Sequence, residues 1–280
     1  MRIRVGYEFI YSFPQATPMI LVVTVHHSRA SDIVVPDLLT TDPFVPVTGY
    51  RDSFGNWCSR IVAPPGRILL TGDGLVTDTG LLDRFVPDAE QHPVMDLPDD
   101  TLVFLLGSRY CEVDVLLPVA WQLFGGMQRG WPLVQTICDY VHNYITFDYK
   151  TARPTRTAWA TYNERIGVCR DFAHLAITFC RCMNIPARYC TGYLGDIGMP
   201  PPYSLPDFAA WMEVYIGGYW YIFDPRNNMR RIGRVLIARG RDAADVAIGT
   251  TFGPNILEGF KVWTDEVDEN MNVVPPMNGH

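Results

Sequence analysis

No stretch of this 280-residue sequence is apolar for long enough to cross a bilayer, which takes about 20 residues. The amino terminus, Met1 to Glu8, reads as a strand, without the apolar core and small-residue cleavage site of a secretory leader. The seven cysteines are odd in number and lack C-x-x-C spacing, and Cys180 and Cys182 stand too close on one helix to bridge each other. Neither a disulfide framework nor a zinc pattern is present. Basic residues are in deficit, with a net charge of -7 and no basic stripe interleaved with aromatics, which excludes a phosphate-tracking nucleic-acid binder. Internal repeats and low-complexity segments are missing too. These absences predict a soluble, cytoplasmic protein with reduced thiols, no nucleic-acid or membrane partner, and no metal or organic cofactor. The oligomeric state is left open.

What is present is an ordinary globular composition, 48% hydrophobic and 19% charged, in a chain long enough for two modest domains. Residues 1–108 read as β-rich. Ile3 to Phe9 alternates, Met19 to Val25 is a short β-branched run, and turns at Pro36, Asp42-Pro43, Asp52 to Asn56 and Pro64 to Gly66 punctuate the rest. Such spacing predicts a sandwich of antiparallel strands. His26 and His27 lie beside a strand end, where neighbouring side chains point to opposite faces, so they are not expected to act jointly. The Pro- and Asp-rich stretch from Glu90 to Asp100 marks the boundary to a second domain at 109–280. There, two amphipathic helices are expected over Val113–Phe124 and Trp131–Ile145, followed by a polar loop, Lys150–Glu164. Strands follow at Ala187–Leu194, Phe208–Ile216 and Tyr219–Asp224, the last two joined by a Gly217-Gly218 hairpin turn, with further strands at Ile232–Gly240 and Phe260–Asp265.

The second domain centres on Gly167-Val168-Cys169-Arg170-Asp171, which opens the clearest helix of the chain. Free backbone N–H groups and the positive end of the helix dipole favour thiolate at Cys169 and could hold a developing oxyanion. Cys169 is therefore the candidate nucleophile, whereas the other six cysteines read as small buried hydrophobes. Asp171 reads as a partner of the helix dipole, and Glu213 as the ion-pair partner of Arg188 or Arg226.

Four segments taken together, G-V-C-R-D at 167–171, N-I-P-A-R-Y at 184–189, A-W-M-E-V-Y-I-G-G-Y-W-Y at 210–221 and F-D-P at 223–225, resemble the transglutaminase-like superfamily of papain-related proteins. The resemblance covers roughly residues 131–253. It implies an α+β fold: a β-sandwich-like domain, then a papain-like core with the cysteine helix packed on an antiparallel sheet. It also implies acyl transfer through a cysteine thioester on a peptide, protein or small amide. Carried over by position, Cys169 is the nucleophile and Asp224 the residue that orients the base. Trp159, Tyr162, Arg170 and Trp211 are the candidate substrate contacts.

The histidine of the family's H-A-W pattern falls on Ala209, whose methyl group cannot accept a proton. Beyond Cys169 the only histidines are His174 and the terminal His280. His174 lies five residues along the helix, about 140° around its axis from Cys169, and is expected to be buried rather than catalytic. Whether Ala209 is natural or engineered is left open. Three readings follow: a thiol-dependent amide hydrolase or acyltransferase, with residual chemistry from binding and the oxyanion site; a binding module that kept the cleft without the base; or a thioester-dependent amide synthase.

Overall fold

The computed structural model describes residues 1–203 and 206–275, so His280 lies outside the described residues. The elements in chain order are β1 (Arg2–Phe13), β2 (Thr17–Leu21), β3 (Ile33–Val35), β4 (Thr40–Asp42), β5 (Thr48–Arg51), β6 (Trp57–Ala63) and β7 (Gly66–Thr77). Helices α1 (Asp99–Leu102), α2 (Val113–Phe124) and α3 (Trp131–Tyr144) come next, then β8 (Thr146–Phe147), α4 (Ala158–Glu164), β9 (Ile166–Gly167) and α5 (Cys169–Cys182). The chain continues through β10 (Ala187–Tyr193), β11 (Phe208–Ile216), β12 (Tyr219–Phe223), β13 (Val235–Gly240), β14 (Gly249–Thr251) and β15 (Ile256–Val267).

Two antiparallel sheets form the amino-terminal part. One runs β15-β1-β7-β3 with β4 also on β7, and the other runs β14-β2-β6-β5. The alternation in β1 sends Ile3, Val5, Tyr7 and Phe9 inward, and they join Met19, Leu21 and Ile61 in one apolar core. This is an α+β molecule built largely from antiparallel sheets, as expected. The last two strands are where the chain departs from the order read in the sequence. β14 pairs with β2, and β15 lies along β1 from Arg2↔Val267 to Ser12↔Ile256. Phe260–Asp265 was expected as a strand of the second domain, yet β15 hydrogen-bonds into the first sheet, and β14, where no strand was expected, joins the second. A tight approach makes this register possible, since a Cβ on Gly6 would lie 2.3 Å from the ring of Trp263 opposite it.

The third sheet, β12-β11-β10-β13, carries α5 on one face. All of α5 from Asp171 onward is buried, so it is a central helix with α2, α3 and α4 around it. Its buried arginine is satisfied by backbone carbonyls. Arg181 donates to the carbonyls of Ala187 (2.9 Å), Leu106 (3.0 Å) and Arg241 (2.6 Å), in the last turn where a cation complements the helix dipole. The hairpin turn at Gly217-Gly218 has φ of 56° and 79°, the mirror-image turn that only glycine adopts freely. The stretch expected as a loop, Lys150–Glu164, ends in a helix instead. Thr157 caps α4 by accepting from the Ala160 N–H at 3.3 Å, a start signal that the surrounding polar residues obscure.

Candidate active site

The turn into α5 is set by three residues. Gly167 is there because a Cβ at that position would lie 2.7 Å from the Asp171 Cβ. The Asp171 carboxylate accepts the Val168 N–H at 3.0 Å, one half of a capping box. It also accepts Arg156 Nη1 at 3.0 Å, and both side chains are buried. Asp171 is thus more than a dipole partner. It ties the loop that precedes the site to the helix that carries the thiol.

Cys169 stands at the first helical position, half-buried. It lines a small cleft of about 50 Å³ with Phe147, Tyr149, Asp207, Ala209, Arg226 and Asn227 among the other walls. The N–H groups of Arg170 and Ala210 point at its sulfur. Even so, burial pushes the thiol up to about 11, the Asp207 and Asp224 charges add to the rise, and the two N–H groups offset only part of it. The expectation of an acidified thiol is therefore corrected: with no histidine among the described residues lining its cleft, desolvation outweighs the helix start.

Ala209 lines the same cleft, and none of the histidines among the described residues does. His174 is fully buried, stacks between Tyr110 and Tyr189, and accepts the Ala243 N–H on Nε2 at 3.1 Å, as a non-catalytic histidine would. His142 is exposed, with Nδ1 3.0 Å from the Arg226 carbonyl. His26 and His27 differ from expectation. His26 caps a short 3₁₀ helix rather than ending a strand, so the two rings come within 4.2 Å and line one cavity of about 820 Å³. That cavity shares no lining residue with the Cys169 cleft.

Asp224 is close to the site but outside the cleft wall. Its oxygens accept Arg234 Nη2 (2.7 Å), Asn227 Nδ2 (2.7 Å) and the Asn227 N–H (2.9 Å). Burial works to raise this carboxyl, yet Arg234 and Asn227 hold it below the usual carboxylate range. What it orients in this chain is Asn227, whose Oδ1 in turn accepts Arg226 Nη1 at 2.5 Å. Asn227 and Arg226 follow F-D-P directly but have no counterpart in a Cys-His-Asp pattern, so sequence reasoning passed over them. It also missed Tyr149, which opens a short 3₁₀ turn, and Asp207, which immediately precedes β11.

The four candidate substrate contacts do not line the cleft. Trp159 and Tyr162 sit on α4, stacked at 6.1 Å, and Tyr162 continues onto Tyr144 at 5.2 Å. Arg170 turns from the sulfur to Asp171, the Arg153 carbonyl and the face of Tyr110. Trp211 is buried against Cys190 and Leu236 with the Arg234 guanidinium over its ring at 5.2 Å. These are packing and ion-pair roles, and the correction follows from helix and strand direction, which placed the side chains away from the thiol. Glu213 pairs with Arg188 at 2.5 Å, one of the two partners expected for it.

Beside the cleft, and sharing Leu194, Asp196 and Asp207 with it, a groove of about 630 Å³ runs between the loop after β10 and strand β15. Ile197, Tyr203, Val262 and Trp263 give it apolar walls.

Residues 123–225 match the model of the transglutaminase-like superfamily core. A solved candidate cysteine protease from Cytophaga hutchinsonii is 30% identical and superposes with a TM-score of 0.83, over 100% of this chain and 94% of that one. The chain belongs to the transglutaminase-like superfamily. Protein Rv2569c of Mycobacterium tuberculosis H37Rv is 34% identical over 131 residues, 41% of this chain and 40% of its own length. Protein ML0607 of Mycobacterium leprae is 38% identical over 84 residues, 29% of this chain and 30% of its own. The chain thus spans less than half the length of these mycobacterial relatives. Among the described residues no helix is long and apolar enough to cross a membrane.

Proposed function

We propose that this member of the superfamily is a thiol-dependent acyl-transfer enzyme that hydrolyses an amide or isopeptide bond of a peptide-like substrate, with Cys169 as nucleophile. The observation that carries the reading is the sulfur itself. It sits at the start of a rigid, buried helix, on the wall of a cleft that continues into a larger apolar groove. Binding energy from an extended chain in that groove would hold a carbonyl against the sulfur. Attack by sulfur forms the thioester with loss of the amine, and water then releases the acid. Water is taken as the second reactant. The seven unpaired thiols fit a reducing compartment such as the cytoplasm.

One observation favours a second reading, a binding module that kept the groove without the chemistry: the thiol is pushed up to about 11 and so is protonated at neutral pH. Incubation with p-nitrophenyl acetate and then with a panel of peptide p-nitroanilides separates the two. The enzyme reading expects one acetyl group on Cys169 by peptide mass spectrometry and its loss in Cys169→Ala. A wild-type chain that never carries an acyl group on Cys169 would sink it.

A further inference from the structure

A protonated thiol needs a proton acceptor before it can attack a carbonyl, and the position that should supply one is an alanine. The charged groups that face the cleft are Asp196, Asp207, Arg226 and Arg231, with the Tyr149 hydroxyl and the thiol completing the titratable set. Three of the four charges are engaged. Arg231 donates to Asp196 at 3.2 Å and to the Gly195 carbonyl at 2.8 Å, and Arg226 is held by Asn227 and lies over the Phe147 ring at 4.3 Å. Asp224, behind the wall, is saturated by Arg234 and Asn227. Asp207 differs. Its Oδ1 accepts the Phe208 N–H at 2.7 Å, and among the described residues its Oδ2 has no partner. The residue is half-buried, immediately before β11, two positions ahead of Ala209, and at the junction where the cleft opens into the groove.

We propose that Asp207 is the proton acceptor for Cys169, in the place that an imidazole holds elsewhere in the superfamily. The assignment rests on the acyl-transfer reading above. As sulfur attacks, the S–H bond breaks, its proton passes to Asp207 Oδ2, the S–C bond forms and the carbonyl pair moves onto oxygen. When that pair returns, the C–N bond breaks and Asp207 gives its proton to the departing nitrogen. Water then attacks the thioester, Asp207 takes one of its protons, the C–S bond breaks and the thiolate is reprotonated. Burial raises the Asp207 carboxyl above its ordinary value, which makes it a better acceptor.

The assignment has a test whose two readouts move in opposite directions. Iodoacetamide alkylation of Cys169 reports the thiolate fraction, which the negative charge of Asp207 suppresses. Asp207→Asn removes that charge, so Cys169 is expected to alkylate faster at pH 7. Acylation of the same thiol by p-nitrophenyl acetate loses its acceptor and is expected to slow by about 100-fold or more. A near-ultraviolet circular dichroism spectrum matching wild type shows that the variant is folded, and Asp207→Glu should recover part of the acylation. A variant in which alkylation and acylation both speed up overturns the assignment, because Asp207 is then only a neighbouring charge. If wild type acylates at Cys169 and Asp207→Asn keeps pace with it, Asp207 alone is overturned. A wild type that never acylates overturns the acyl-transfer reading, and the assignment with it.

Discussion

At the scale of the residue, the site is decided by which charges are spent and which are left over. Asp171 and Asp224 are both buried carboxylates near the thiol, and both are committed to arginines. Removing one should expose what it holds. Asp171→Ala leaves the buried Arg156 guanidinium with only the half-exposed Glu164, and frees the Val168 N–H as well. A loss of about 3 kcal/mol in urea unfolding is expected, the lower end for a broken buried pair. A loss below about 0.5 kcal/mol in the urea titration, the size of an ordinary surface change, would contradict the pairing. Ala209 offers the complementary experiment. Because it lines the same cleft as Cys169, Ala209→His should supply an imidazole to pair with the thiolate. Placed in the Asp207→Asn background, it is expected to restore p-nitrophenyl acetate turnover and move the alkylation midpoint to lower pH. A midpoint that stays put would mean that an imidazole at position 209 does not reach the thiol. That Cys169 and Ala209 line one cleft was legible from sequence, because G-V-C-R-D and A-A-W are local words. Tyr149, Asp207 and Asn227 were not, since their relevance depends on where loops end in space.

At the scale of the element, α5 and the sheet beneath it were readable because their signals are strong and short-range: a capped start, a Gly-Gly hairpin, alternating aromatics. The helix α4 was obscured by its threonines, and with it the true setting of Trp159 and Tyr162. What sequence periodicity does not report is how closely two elements approach. A Cβ on Gly192 would lie 2.2 Å from the Val235 carbonyl and 2.8 Å from the Trp211 ring, so β10 reaches β13 only because that side chain is absent. Gly192→Ala is therefore expected to loosen the β10–β13 pairing and lower Tm by several degrees. Amide exchange should speed up along Val235–Gly240 while β1 stays protected. Unchanged protection in β13 would show that the neighbours can give way at little cost.

At the scale of the whole molecule, two buried histidines make stability a function of pH. Burial lowers the pKa of His174 well below its ordinary value and, with Arg239 adding, takes that of His26 to about 3 from 6.5. The unfolded chain binds protons at these positions when the folded one does not. Stability is therefore whole above pH 6.5 and falls as the pH drops toward 3. His174→Gln keeps an acceptor for the Ala243 N–H without titrating, so its Tm should fall less steeply between pH 6.5 and 4.5 than that of wild type. Parallel Tm curves would argue against a buried neutral ring. The order of sheets was the least legible feature at this scale, because nothing local in Phe260–Asp265 says which of two sheets it will join.

That last strand has a consequence during synthesis. β1 is the second element from the edge of its sheet only because β15 covers it, and more than 240 residues separate the two along the chain. A nascent polypeptide leaves the ribosome with β1 exposed on one side, its backbone donors and acceptors open to any stray strand, until residues 256–267 emerge. Stalled or truncated products that stop before Ile256 should be caught by chaperones or aggregate, whereas the finished chain closes its own seam.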